Sequence, residues 1–531
     1  MQHLAKRTLL ASATALGLIG LTLPVLAQTL TIGVRAGPDS IDPHFTASGT
    51  HAETLKHVFD TLVWSGDQLQ LEPRLAESWK PIDATTWEFK LRRGVKFHDG
   101  SDFTADDVKF SIERIPVVSG PNPTLIYVRR VKETKVINPH TVHIVTDGPS
   151  PTLPNDFIRL FIVSSKAAAG LTKDNANEAF NTGKAAVGTG PYKFVSWTPK
   201  DAFVGERFDG YWGEKQPWAR IVRKELPNDA GRVAQLKAGQ VDMIVRTPAA
   251  DLPTLQRDTN LQVVKGDTVY VFYIEFDQRD KPPQISSKDG SPLASNPFKD
   301  ARVREAFDLA IDRAALAEIA MEGLGKPQSQ LVTPNIFGYN DKLQVTKPNV
   351  NRARELLTQA GFPNGFKVTF SFTNDRLPGD GAVGAAVSQM LARIGVDVQA
   401  NGQPGAVLFP ARTRGDLSMV MSGWGTLTGE ANYTLSSLVH SNAPQLRLGA
   451  FNWRNYVNPE MDKALQAAAA EMDEGKRRAY LQQANELTAQ DRPLIPLVAV
   501  SSAWTLRKDK VRMVRTRADE DTLAMDIAPA R

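Results

Sequence analysis

The chain has 531 residues, 42% of them hydrophobic and 23% charged, with a formal charge of +5 and no cysteine. That length exceeds one ordinary domain of roughly 100–200 residues, and a mean hydropathy of −0.28 is that of a globular protein, not of a disordered or polytopic membrane chain. The missing cysteine excludes thiolate nucleophiles, cysteine-ligated zinc, iron–sulfur clusters and disulfides.

Residues 1–27 carry Lys6 and Arg7, then an uncharged run from Thr8 to Leu26, and close on Val25-Leu26-Ala27. A basic start, an apolar middle and small residues at the end predict a secretory signal peptide cut after Ala27. Its removal lowers the charge to +3 and takes away most of the hint of nucleic acid in a pI near 9.1. Export without disulfides predicts a large core in a bacterial periplasm. With no cysteine to carry a lipid, the mature chain is expected to be free rather than tethered.

Strands and helices then alternate. Residues 30–34 read as a first strand and 86–92 as an alternating one, with Trp87, Phe89 and Leu91 on one face. Thr104 with Asp107 three residues on predicts a capping box before the stripe Val108, Ile112 and Ile115. Asp229 is expected to cap a helix that stops at Gly239. One long helix is predicted over 300–321, with Val303, Phe307, Ala310, Ile311 and Ile319 inward. Residues 351–401 read as helix, strand 367–373, helix 382–394 and strand 396–400, the second strand parallel to the first. Residues 417–423 read as another strand with Trp424 just past its end. Helices over 458–472 and 475–490 precede 493–497, an expected edge or crossover strand. The fold class is α/β with several subdomains.

Catalytic patterns are missing. Lys326 is followed by proline rather than serine or threonine, no serine sits in G-x-S-x-G, and no HExxH exists. His44, His51 and His57 have no common ligand spacing, and His140 and His143 fall on opposite faces of a strand. The basic, aromatic stretch 127–135 reads as a solvated face. No metal, cofactor or catalytic residue is therefore expected.

The stretches Leu75–Pro81, Gly94–Gly100 and Phe103–Val108 resemble the signature of family 5 solute-binding proteins, the receptors of peptide, opine and nickel ABC importers. Gly188-Thr-Gly-Pro-Tyr192 with Tyr211-Trp212, Leu236–Asp242, Pro297–Arg313, Arg354–Gly361 and Leu391–Val396 extend the likeness in the same order. Individually, Trp79, Trp87 and Phe97 read as core packing, and Gly188 and Gly190 as points of backbone freedom, since glycine reaches φ > 0 without penalty. The resemblance implies a two-lobed periplasmic-binding-protein clamp with mixed sheets and an extra inserted subdomain. Lobe I would comprise 28–72, 188–270 and 496–531, the inserted subdomain 73–187, and lobe II 271–495. It further implies hinge closure on a small solute or short peptide, delivery to an inner-membrane ABC permease, and a monomer without nucleic acid. A secreted hydrolase, or an envelope chaperone or signalling receptor on the same scaffold, is the alternative.

Ligands of open α/β lobes meet the C-terminal ends of strands. That points to His44 and Thr46 in the loop 42–48, and to the loop after 417–423. Tyr273 is a further candidate from the aromatic strand 270–276. The resemblance implies that Trp424 lines the pocket. Peptide-binding members carry an aspartate three residues beyond this tryptophan, and some an arginine three before it; here Leu427 and Met421 stand there. The loss of both charges predicts a less zwitterionic ligand, with Glu430 as a possible substitute carboxylate. Arg412 and Arg414 read as surface residues.

Overall fold

The computed structural model describes residues 29–120, 124–446 and 448–530; the expected signal peptide lies outside them. Among the described residues a curled twelve-stranded sheet runs through both lobes. Its main path is Ile285–Ser286, Lys367–Thr373, Met419–Gly425, Leu261–Phe276, Leu494–Arg507, Met243–Ile244, Thr29–Val34, Arg220–Glu225, Ala202–Arg207 and Tyr192–Thr198. Gly325–Pro327 joins at Leu494–Arg507, and Asp397–Gln403 at Lys367–Thr373.

Two long antiparallel strands, Leu261–Phe276 and Leu494–Arg507, tie the lobes together. Their outer halves pair from Leu261↔Arg507 to Asp267↔Ser501, and their inner halves from Val271↔Ala499 to Glu275↔Leu494. The register slips between Asp267 and Val271 and again before Tyr273. An irregular register bends a strand and weakens its ladder locally, so this crossing is where the sheet can flex. The stretch 493–497, expected as an edge or crossover strand, leads into the central strand Leu494–Arg507, which crosses between the lobes. Pro496 is tolerated at the irregularity, where the ladder is interrupted.

Lobe II obeys the predicted βαβ pattern. Lys367–Thr373 is parallel to both Asp397–Gln403 and Met419–Gly425, and helix Asp380–Ala392 packs on the first two. Phe276, Phe298, Phe307 and Phe366 form its aromatic centre. The inserted subdomain is a four-stranded antiparallel sheet, Ala76–Asp83, Thr86–Leu91, Thr141–Thr146 and Val131–Asn138. Trp87, Phe89, Phe97 and Phe103 are buried in its own core, and Trp79 packs at the margin. The capping box at Thr104 is present, with the Asp107 carboxylate accepting from the Thr104 amide at 2.9 Å. Asp107 also accepts from the Ser165 amide and hydroxyl, which ties the helix to the following segment.

Four local expectations change. The helix read over 300–321 breaks at Ile311, whose ψ of 118° is extended, and Asp312 caps a new turn. Ile319 consequently lies 76% exposed instead of inward. Asn228, not Asp229, caps the next helix, accepting from Gly231 N at 2.8 Å. Gly188 and Gly190 are not among the glycines with positive φ; a Cβ would fall 2.0 Å from the Val58 carbonyl oxygen at Gly188 and 2.6 Å from the Val58 carbonyl carbon at Gly190. Close backbone approach, not left-handed geometry, requires them. Trp424 lies within its strand, opposite Val271, rather than past the end.

Candidate functional site

The two lobes touch across a cleft beside the hinge. Asn155 Nδ2 donates to Thr428 O at 2.7 Å, Arg35 Nη2 to Asp375 O at 3.2 Å and Asn335 Nδ2 to Gln68 O at 3.1 Å. Leu69, at the tip of the Val63–Ser65/Leu71–Pro73 hairpin, is buried in a lobe II core with Leu331, Ala431 and Leu435.

Within this junction the lobe II wall is aromatic. The Trp424 ring lies 5.5 Å from Tyr433 and 5.0 Å from Phe451, and Phe451 lies 5.2 Å from Trp453. Trp424 is half-buried, and its indole Nε1 is shielded from solvent without a partner among the described residues. An indole N–H so placed is a donor in want of an acceptor. Residue alternation puts Met421 on the opposite face of the same strand, buried in a separate core cluster. Leu427 packs half-buried beneath the wall. Position 421 therefore offers no charge to the cleft because its side chain points elsewhere.

The facing wall comes from the inserted subdomain. A short turn of helix, Leu153–Asp156, continues into Phe157–Arg159. Phe157 and Ile158 are buried in the subdomain core and anchor that turn. Asp156 is half-buried, and its backbone N–H donates to Thr152 O at 3.1 Å. Burial pushes its carboxyl up to about 7, with Arg129 opposing and Glu430 adding to the rise. Arg159 is 5% exposed and its Nη1 is buried without a hydrogen-bond partner among the described residues. Burial disfavours its charge, but Asp521, Tyr127 and Asp519 nearby hold it protonated. Tyr433 on lobe II senses Tyr127, Tyr270, Arg159 and Asp156, so all five gather at one place. Tyr270 stands on the hinge strand, its hydroxyl pushed to about 12 by burial and by Glu520, and retains accessible surface.

Lobe I contributes a floor of paired charges. Lys56 Nζ lies 2.5 Å from Asp521 and 3.3 Å from Asp519, and Arg246 Nη2 lies 2.8 Å from Glu520. Burial and its acidic neighbour raise the pKa of Asp521, whereas Lys56 and Arg517 hold Asp519 low.

The five expected site residues are placed differently from one another. Trp424 lies on the cleft wall. Tyr273 is buried in a lobe II core, and the hinge strand presents Tyr270 instead. His44 is fully buried: Nε2 meets Phe161 O at 2.8 Å and Nδ1 meets Arg114 Nη1 at 2.8 Å, while Arg114 grips Asp42. Both ring nitrogens are thereby occupied. Burial and Arg114 drive this imidazole down to about 3, so it is a neutral brace. Thr46 is buried, its hydroxyl accepting from Ser48 N at 3.3 Å. Glu430 is buried beside Arg477 at 3.3 Å, and burial raises its carboxyl to about 7.

One surface reading is corrected. Arg412 is buried, stacked 3.9 Å over Trp453 and donating to Ser422 Oγ at 2.6 Å; it braces the aromatic wall. Tyr127 is half-buried, with burial raising the pKa of its hydroxyl, whereas Lys132, Glu133 and Lys135 of the same stretch are exposed as expected. Arg414 stays on the surface with Asp416. The residues missed were Tyr127, Asp156 and Arg159; the available signal was an aspartate and an arginine three apart inside the apolar run 153–163.

Among the described residues no cluster of three metal-binding side chains forms and no helix is long and apolar enough to cross a membrane. A separate cavity of about 500 Å³ borders the hinge strands at Thr268 and Val500, with Lys326 and Asn335 on its rim. None of its lining side chains carries a buried unpartnered polar atom among the described residues.

The chain is similar to known solute-binding proteins. The profile of bacterial extracellular solute-binding proteins, family 5 middle region, matches residues 70–445. The glutathione-binding protein GsiB of Salmonella choleraesuis is 28% identical over 486 residues, 89% of each chain. The periplasmic binding protein DppA of Helicobacter pylori, solved with the peptide STSA, superposes with a TM-score of 0.76 at 24% identity, over 95% of this chain and 98% of that one. HbpA2 of Haemophilus parasuis does so with a TM-score of 0.80 at 22% identity, over 94% and 100%. Those structures share the two-lobed fold, and with the profile spanning most of the chain, this protein belongs to the bacterial extracellular solute-binding proteins of family 5.

Proposed function

We propose that this chain is the exported receptor of an ABC importer, capturing a short peptide or related small solute between its lobes and handing it to an inner-membrane permease. The observation that carries the reading is the cleft itself: an aromatic wall on lobe II faces a charged turn of the inserted subdomain, beside a slipped-register hinge. Rigid walls joined by a flexible crossing close by hinge motion. Closure is favoured only by contacts that exist in the closed state, so ligand shifts a pre-existing equilibrium. A micromolar ligand needs about −8 kcal/mol, within reach of stacked aromatics and a few directed hydrogen bonds.

Glutathione binding by the GsiB relative and peptide binding by the DppA neighbour support a peptide-like ligand. The mature chain, freed of residues 1–27, is proposed to act in the periplasm as a monomer without nucleic acid. Calorimetric titration of residues 28–531 with glutathione and with di- and tripeptides tests this. One-to-one binding without consumption of the ligand is expected. Turnover of any binder would sink the reading.

A further inference from the structure

We propose that the hairpin Val63–Ser65/Leu71–Pro73 is a latch built into the clamp: Leu69 at its tip enters the lobe II core as the lobes shut and leaves it as they part, so this one side chain biases the empty protein towards closure. The latch acts on the lobes themselves, whatever solute they take. Leu69 has a φ of 67°, in the left-handed region, where a Cβ crowds the backbone and glycine or asparagine is the usual occupant. Hydrogen bonds from Gly66 N to Gln70 O at 2.8 Å and from Leu69 N to Gly66 O at 3.1 Å close the turn within the hairpin. A turn standing in water would gain nothing from a strained leucine. Here the leucine is 3% exposed and packs with Leu331, Ala431 and Leu435 of lobe II, and that burial offsets the strain.

Lobe II is shaped to the tip. Gly429 also takes a positive φ, 74°, and a Cβ there would fall 2.6 Å from Leu69 O, so two left-handed residues meet across the boundary. The neighbouring Thr428 O accepts from Asn155 of the inserted subdomain, which puts the tip at one end of the lobe-to-lobe contact. The root of the hairpin is held elsewhere. Val63 is buried in the inserted-subdomain core, Arg517 Nη2 donates to Gly66 O at 3.1 Å, and Ala518 N donates to Asp67 O at 2.8 Å. Among the described residues the tip, 66–70, takes one hydrogen bond from lobe II, from the exposed Asn335 side-chain amide to Gln68 O. Water can replace that bond when the tip withdraws, so no buried polar group is stranded. The cavity of about 500 Å³ lies against the same seam, with Gln68, Asn335 and Ala518 on its wall, so close packing does not enclose the tip on every side. An apolar contact made only in the shut state shifts the balance towards closure.

Because the chain has no cysteine, a single Leu69→Cys exchange reports on the tip. Its control is Ala468→Cys, in the same core but on the lobe II helix Pro459–Ala470. Both mature proteins, free of solute, are treated with N-ethylmaleimide, with melting curves confirming that they fold. Leu69→Cys should react at least ~10-fold faster than Ala468→Cys, because parting of the lobes costs less free energy than unfolding of a core. Small-angle scattering gives the second measurement. Leu69→Gly keeps the left-handed turn and removes the side chain, and Leu69→Asn takes its place should the glycine variant fail to fold. Either should show a larger radius of gyration than solute-free wild type. Equal labelling rates in the two cysteine variants, or an unchanged radius in the variant lacking the leucine, would make the tip a permanent joint and overturn the latch. Neither measurement needs a bound solute, so its outcome is separate from whether the protein captures a peptide.

Discussion

At Glu430 a carboxylate sits buried against Arg477, and its pKa, raised from about 4.5 to about 7, sets a sign. The folded chain holds the proton more tightly than the unfolded chain, so protonation stabilises the fold. That stabilisation is complete below about pH 4.5 and is lost as pH rises through 7. Glu430→Gln mimics the protonated acid. Its melting temperature should match wild type near pH 4 and exceed it at pH 8, by a difference on the order of 3 kcal/mol in unfolding free energy. Equal pH profiles for the two proteins would show that the carboxylate is not desolvated as described. Trp424→Ala belongs to the same scale: losing a stacked ring and its N–H should weaken solute binding by roughly 2–4 kcal/mol, read by calorimetry, with little change in melting temperature. The family resemblance, not residue chemistry alone, implied a pocket-lining role for Trp424. It could not place His44, whose availability depends on Arg114 and Phe161, both far away in the chain.

Elements were legible where local chemistry decides them. Thr104 and Asp107 announced a helix start three residues apart, and Lys367–Thr373 alternated strictly enough to declare a strand. The break at Ile311 and the central role of Leu494–Arg507 were hidden, because the first depends on how Asp312 caps a new turn and the second on tertiary pairing with Leu261–Phe276. Gly188 shows the same limit. Its small size was visible, but its reason is the Val58 backbone, 130 positions earlier in the sequence. Gly188→Ala should therefore destabilise by about 1–3 kcal/mol through overpacking, seen as a lower urea midpoint at unchanged m-value. A neutral substitution would mean that residues 57–59 yield easily. Asp107→Ala, which removes the cap and the anchor to Ser165, should cost about 1–3 kcal/mol in the same assay.

For the whole molecule, composition excluded thiol chemistry and family signatures indicated a clamp, while the cleft itself is made by juxtaposition. Tyr127, Asp156 and Arg159 meet Trp424 and Tyr433 only after the inserted subdomain folds onto lobe II and Asn155 reaches Thr428. The expectation of a less zwitterionic ligand came from two lobe II positions, Met421 and Leu427. Asp156 and Arg159 stand on the inserted subdomain, in positions that the reading did not consider. The central claim is capture of a small solute by closure around this site. Small-angle scattering of the mature protein with and without its tightest-binding solute, run alongside Trp424→Ala, tests it most directly. A smaller radius of gyration on adding solute to wild type, absent in Trp424→Ala, is the predicted result. Solute binding at unit stoichiometry with no compaction, or with compaction that Trp424→Ala retains in full, would contradict it.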